Sequence, residues 1–187
     1  KIAGMYIMLT RKGPICFADT TINEFPTAND LVEITLLAAE KIKNLNIKPR
    51  VAMLSYSNFG SSNLSEAKVV KEAVDYLHQH HPDLIVDGEI QASVAFNNEL
   101  LKENYPFSAL INNNPNILIF PNLSAGNIAY HLMMELGNSE AIGPILLGLN
   151  KSVHVLQLGS SVRQIVNMVA IASVDAYVKR KKNKLND

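Results

Sequence analysis

The sequence predicts an α/β protein of three-layer α/β/α architecture with a mostly parallel sheet, and three observations carry that reading. Strand–loop–helix units recur at intervals of a few tens of residues, the pattern of parallel strands joined by crossover helices. The strand runs, such as Val51-Ala52-Met53-Leu54, are continuously apolar rather than alternating, as burial on both faces requires. With 187 residues, 48% of them hydrophobic, the chain can bury one substantial core, and no short-period repeat or low-complexity segment divides it.

The elements follow in order. Residues 6–10 and 15–18 are short β-favourable runs, with Arg11-Lys12-Gly13-Pro14 as a hairpin turn between them. Residues 19–23 are polar and irregular. Thr27 with Asp30 three residues on forms a capping box, and Leu31, Ile34, Leu37, Ala38, Ile42 and Leu45 keep helical spacing behind it. Residues 50–54 make a buried strand that feeds the polar loop 55–62. Ala67, Val70, Val74 and Leu77 mark a second helix, closed by Pro82. Leu84-Ile85-Val86 is a strand running into Asp87-Gly88-Glu89. Propensity favours helix over residues 90–95, and residues 97–102 add another turn or two. Residues 112–115 form a loop, 117–120 a strand, and 121–126 a turn into a helix over 127–136. Residues 153–156 read as the last strand. Ser161 and Gln164 form a capping box for a long final helix through Val178.

Composition excludes several classes. Formal net charge is zero, which argues against nucleic acid, since binding it usually demands a basic face. The basic run Lys179-Arg180-Lys181-Lys182 with Lys184 suits a solvated helix end whose cations complement the macrodipole. No run approaches a membrane span and no secretory signal is visible. The single cysteine, Cys16, precludes a disulfide framework within the chain and suits a cytoplasmic setting. The chain opens at Lys1 and enters an apolar stretch almost at once, so it reads as a piece of a longer polypeptide.

In open α/β sheets ligands sit beyond the carboxyl ends of the strands. Four such stretches are polar or glycine-bearing: residues 55–62, 87–89, 122–127 and 159–161. Each precedes a helix whose first N–H groups are unpaired and favour an anionic group. The candidate ligand-binding residues are Ser55, Ser57, Asn58, Gly60 and Ser61 in one wall, Asn122 and Asn127 in a second, and Gly159, Ser160 and Ser161 in a third. Capping and turn formation alone also explain these residue types. No GxGxxG or GxxxxGK[ST] fingerprint supports a classical nucleotide site.

Other chemistries find little support. His78, His80 and His81 bunch at a helix end without zinc-site spacing, so no metal is expected in this chain. His131 on a helix and His154 among apolar neighbours read as satisfied core histidines, and neither has a local nucleophile partner. Asp87 and Glu89 are accounted for by a strand-end turn, without an acid–base role.

The segments Gly143-Pro144-Ile145-Leu146-Leu147-Gly148-Leu149 and Val153-His154-Val155-Leu156-Gln157-Leu158-Gly159-Ser160-Ser161 resemble the C-terminal signature of the phosphotransacetylase (phosphate acetyl/butyryl transferase) family. So do Val51-Ala52-Met53-Leu54-Ser55-Tyr56-Ser57, Asp87-Gly88-Glu89-Ile90-Gln91, Ile117-Leu118-Ile119-Phe120-Pro121-Asn122-Leu123 and Gly126-Asn127-Ile128-Ala129-Tyr130. Within that family, Asn58-Phe59-Gly60-Ser61-Ser62 and Ile165-Val166-Asn167-Met168-Val169-Ala170-Ile171-Ala172 look like the C-terminal domain of large bacterial NADP-dependent malic enzymes. The resemblance implies the isocitrate/isopropylmalate dehydrogenase-like fold and an active cleft between two subdomains. The chain would supply the second subdomain, about residues 1–150, plus a strand and helix returning to the first, about 151–187. It also implies a homo-oligomer dimerising through this domain, and an upstream catalytic domain in the same chain holding NADP and a divalent metal. Acetyl-CoA, a small-molecule acyl-CoA, would be its effector, with no cofactor bound in this part.

The resemblance also shows departures. Catalytic members carry a Ser-Arg pair before the shared glycine and an Asp on the next helix; the matching positions here are Gln157, Leu158 and Gln164. Acyl transfer to phosphate needs a guanidinium to steady developing charge and a group to manage the thiol proton. Leucine and glutamine supply neither, so no catalytic residues are expected. Three readings stand: a regulatory, catalytically dead domain responsive to acyl-CoA, an active acyltransferase with displaced residues, and an oligomerisation module without ligand.

Overall fold

A computed structural model describes residues 1–137 and 139–186, without the side chains of 182, 183, 185 and 186. Lys182 of the basic run therefore has its side chain outside the described residues. The chain runs β1 (Ala3–Thr10), β2 (Gly13–Ala18), α1 (Ala28–Asn44), β3 (Arg50–Leu54), α2 (Ser65–His80), β4 (Ile85–Ile90), α3 (Ala92–Ala95), α4 (Asn98–Asn104), β5 (Ile117–Ile119), α5 (Leu123–Glu135), β6 (Glu140–Leu147) and α6 (Val162–Asn186).

The strands form one six-stranded sheet in the order β4-β3-β5-β2-β1-β6. The pairs β2–β5, β3–β5 and β3–β4 are parallel, and β1 alone runs antiparallel to both of its neighbours, β2 and β6. The mostly parallel three-layer sheet is as the sequence predicts. Side chains alternate across it: Ala3, Met5 and Ile7 join a core with α1, α2 and α6, while Tyr6 and Met8 join a second core with α3, α4 and α5. Each fully buried Ile, Leu or Met on either face contributes roughly 1.5–3 kcal/mol. No helix among the described residues is long and apolar enough to cross a membrane.

Both capping boxes form. Thr27 accepts from the Asp30 amide while the Asp30 carboxylate accepts from the Thr27 amide. Ser161 and Gln164 do the same at the head of α6.

The differences from sequence lie at strand ends. Residues 153–156 are no strand: they pair with none among the described residues, and Val153, Val155 and Leu156 are 50%, 46% and 44% exposed. An apolar run becomes a strand only where a neighbour offers a ladder. The last strand is instead β6, whose register against β1 breaks between the pairs Met5↔Ile145 and Ile7↔Ile142, leaving Gly143 and Pro144 in a bulge. β4 continues through Asp87-Gly88-Glu89 to Ile90, so these residues are strand rather than turn, and the helix expected from residue 90 starts at Ala92. α5 begins four residues before Asn127, at Leu123, because Asn122 caps it. α6 runs on past Val178 to Asn186.

Candidate functional site

Beyond the carboxyl end of β2 the backbone turns around Asp19, which is 3% exposed. Its Oδ1 accepts from the amides of Gly4 (3.0 Å), Thr21 (2.8 Å) and Ile22 (3.2 Å), and its Oδ2 from the Asn23 amide (2.9 Å) and side chain. A carboxylate holding this many N–H groups fixes the loop, in which Thr20 is buried with its hydroxyl donating to the Gly4 carbonyl at 3.3 Å and Thr21 is exposed. α5 packs tightly on the same turn: a Cβ at Gly126 would lie 2.4 Å from the Asp19 carbonyl oxygen. Asn127 donates to the Thr20 carbonyl at 3.3 Å.

These pieces enclose a cleft of about 470 Å³. Thr20, Thr21, Ser124 and Asn127 supply its polar wall; Leu123, Ile128, Pro144 and Val155 supply the apolar one, and Tyr6 and Tyr130 form the floor. The two rings stack at 4.3 Å, and Tyr6 also covers the bulge, where a Cβ at Gly143 would strike its ring at 2.5 Å. Gln157 closes the cleft by donating from Nε2 to the Tyr6 oxygen at 2.9 Å. Burial raises the Tyr6 phenol above its ordinary value, helped by Tyr130 and opposed by the Gln157 bond. The cleft lining holds no Lys, Arg, Asp or Glu. Hydroxyls, amides and apolar groups alone suit a neutral polar ligand portion rather than a phosphate.

The structure distributes the sequence-derived candidates over separate surroundings. Of them, Asn127 lines this cleft, together with Gln157. Ser57, Asn58, Gly60 and Ser61 bond around the end of β4, with Ser57 buried and Gly60 and Ser61 exposed. The Ser57 hydroxyl (2.7 Å) and the Gly60 amide (2.7 Å) both donate to Glu89 Oε1, and Ser57 shares a bond with Ser61 at 2.9 Å. Asn58 Oδ1 accepts from the Gln91 amide at 2.8 Å, and Ser55 Oγ accepts from the Ser57 amide at 3.3 Å. Asn122 accepts from the Ala125 amide and donates to Glu66 in the first turn of α2 at 3.0 Å. Gly159, at φ 85°, and Ser160 form a local turn in which Ser160 Oγ donates to the Gln157 carbonyl at 2.7 Å. Leu158 beside them is fully exposed.

Two carboxylates that the sequence assigns to a strand-end turn lie instead within β4. Asp87 and Glu89 are 3% and 1% exposed, and both are bonded to neighbouring loops rather than solvated at a turn. Their signal was available: acidic residues inside an apolar strand are rarely left without partners. Tyr6 and Tyr130 escaped because only the sheet topology brings them together.

The histidines sit mostly as expected. His154 has a side chain 2% exposed, accepts from the Leu146 amide at 3.2 Å and faces Asp175 at 3.5 Å. Asp175 also meets Lys41 at 2.9 Å and Lys179 at 3.0 Å, forming a buried charge cluster that ties α6 to α1. Burial alone would raise the Asp175 carboxyl, but hydrogen bonds from Lys41 and Lys179 hold it below the usual range. Burial, with Lys41 adding, lowers the His154 imidazole. His131, by contrast, is exposed, its ring 4.1 Å from that of Tyr130. Among the described residues no group of three His, Cys, Asp or Glu is placed to hold a metal.

Comparison with known proteins fits this geometry. The family model described as "Phosphate acetyl/butaryl transferase" matches residues 1–173. An NADP-dependent malic enzyme of Haemophilus influenzae is 42% identical over 174 residues, covering 93% of this chain and 23% of that protein. A phosphate acetyltransferase of Bacillus subtilis is 39% identical over 176 residues, covering 94% of this chain and 54% of that protein. The crystal structure of a phosphotransacetylase from Streptococcus pyogenes superposes with a TM-score of 0.88 at 38% identity, covering 95% of this chain and 54% of that one. The chain thus spans about a quarter of the Haemophilus malic enzyme and about half of the Bacillus acetyltransferase.

Proposed function

The chain belongs to the phosphate acetyl/butyryl transferase family, and on that premise we propose that it is a non-catalytic regulatory and oligomerisation domain of an NADP-dependent malic enzyme, responsive to acetyl-CoA. The observation that carries this reading is the use made of the three positions at which the family resemblance puts charged chemistry. Gln157 is spent on Tyr6, Leu158 points into solvent, and Gln164 caps α6. None can steady a phosphate or take a thiol proton at neutral pH.

The same cleft supports an acyl-CoA ligand of limited contact. Its uncharged hydroxyls and amides suit the amide-bearing arm and thioester of an acyl-CoA, with the acyl group against Leu123, Ile128 and Val155. The nucleotide phosphates would find their cations elsewhere in the full-length protein. Regulation then requires the effector to prefer one assembly state, since equal affinity for both shifts nothing. The full-length parent would carry NADP and a divalent metal in its upstream domain, which oxidatively decarboxylates malate in the cytoplasm.

The test is malate oxidation by the full-length protein with and without acetyl-CoA, comparing wild type with Asn127→Asp. A carboxylate in the cleft repels an anionic effector and removes the donor that Asn127 offers the Thr20 carbonyl. Asn127→Asp is expected to blunt the response to acetyl-CoA while leaving basal oxidation intact. Absence of any acetyl-CoA response in wild type would sink the regulatory reading.

A further inference from the structure

A second cavity, of about 460 Å³, lies on the other side of the molecule, between α2 and the outer strand β4. Its acidic side is Asp75, Asp87 and Glu89, against one cation, Lys71, which is already paired with Asp75. Asp87 is satisfied: Oδ1 accepts from the Gly88 amide at 3.0 Å and Oδ2 from the Ala109 amide at 2.8 Å. His78 Nε2 donates to the Val86 carbonyl at 2.8 Å and lies 3.9 Å from Asp87 Oδ1. Glu89 is different. Its Oε1 takes Ser57 and Gly60, but Oε2 has no hydrogen-bond partner among the described residues, although Glu89 is 1% exposed. A buried carboxylate oxygen without a donor is costly and calls for one.

The wall opposite is aromatic. Phe59 packs on Tyr105 at 4.7 Å and edge-on against Phe107 at 5.0 Å. Phe59 holds φ at 47°, a left-handed conformation unusual for a bulky residue, with its amide tied to the Glu89 carbonyl at 2.8 Å. Phe107 stands 68% exposed at the mouth. Local strain and an uncovered ring at one cavity are features of a site kept for a ligand rather than for stability.

We propose that this cavity binds a small organic cation bearing N–H donors, an alkylammonium or a guanidinium, which donates to Glu89 Oε2 and lies against the rings of Phe59 and Phe107. The excess of carboxylates supplies the field, Glu89 the acceptor, and the aromatic faces the cation–π contact. No metal-binding group of three His, Cys, Asp or Glu exists among the described residues, which favours an organic cation. This site is independent of the acyl-CoA cleft, which adjoins β1 and α5 and has no charged lining.

Saturation-transfer NMR on the full-length protein tests it, with n-butylammonium and methylguanidinium as probes and n-butanol as the neutral isostere. At least one cation is expected to saturate at millimolar concentration while n-butanol does not. Glu89→Gln is expected to weaken that cation about 10-fold, since a neutral acceptor replaces a charged one. Phe107→Ala, at an exposed position, is expected to weaken it about 3- to 10-fold through loss of the ring face. The assignment fails if neither cation saturates below about 50 mM, a range far weaker than any specific site. It also fails if n-butanol binds as well, or if affinity is unchanged in Phe107→Ala. Should Glu89→Gln not fold, the Phe107→Ala result decides alone.

Discussion

Gln157 donates its side-chain amide to the phenol oxygen of Tyr6 at 2.9 Å, across 151 residues of sequence. The bond fastens the extended segment before α6 to the antiparallel strand β1. A side chain given to structure in this way is unavailable for acyl transfer.

The chain is therefore expected to show no transfer of acetyl from acetyl phosphate to coenzyme A. Coupled detection of acetyl-CoA checks it, and turnover of about 1 per second or faster, the low end for enzymes, overturns it.

Asp175 is the acceptor shared by Lys41 and Lys179 and faced by His154. Asp175→Asn leaves a buried lysine without its counter-charge, and destabilisation of about 3–5 kcal/mol is expected from removing one partner of such a cluster. Urea unfolding measures it. A loss below about 1 kcal/mol, the range of exposed pairs, would show the cluster to be solvated.

His154 sets an acid limit on the fold. Its folded-state value is lowered from 6.5, so below that pH the unfolded chain takes up a proton that the folded chain resists. Stability therefore falls as pH drops from 6.5 toward the folded value. Asp175, also lowered, adds a further loss only in the more acidic range, as it protonates. His154→Gln is expected to flatten the first decline, read as melting temperature against pH. An unchanged pH profile would remove His154 as its cause.

Gly126→Ala places a Cβ 2.4 Å from the Asp19 carbonyl, in a backbone contact with no flexible end to yield. Over-packing of this kind costs about 1–3 kcal/mol and moves α5 off the cleft. Thermal unfolding should record the loss, and a fully wild-type melting curve would contradict the close approach.

On α5 and its C-cap Ile128, Leu132 and Leu136, and on α6 Val162, Val166 and Val169, stand 52–82% exposed. An apolar surface of this kind marks an association site, and a dimer is expected. Light scattering at about tens of micromolar should find it, a concentration at which even weak interfaces assemble. Val166→Asp should return a monomer. A wild-type monomer there would leave the face without this role.

Much of the fold was legible because local and tertiary preferences agree. The apolar runs at β3, β4 and β5 are buried on both faces, and the Thr27 and Ser161 boxes cap the helices they announce. Residues 153–156 are β-favourable by type but have no strand partner among the described residues, which composition alone does not reveal. β6 was passed over because Gly143 and Pro144, ordinary strand breakers, sit in its bulge. The candidate loops were legible as polar strand ends, but not the directions of their side chains. Ser57 looks outward in sequence, yet Glu89, 32 residues on, holds its hydroxyl in a buried bond and ties down the Gly60 amide as well.

Pro144 interrupts the strand at the outer margin of the sheet beside β1. It has no amide hydrogen to offer, and the surrounding bulge breaks the spacing of those on either side. A strand from a second molecule docking there would meet a discontinuous ladder, so the sheet is self-terminating on that side. Copies of the chain are thereby steered away from open-ended fibre growth and toward closed, countable assemblies built from helix surfaces.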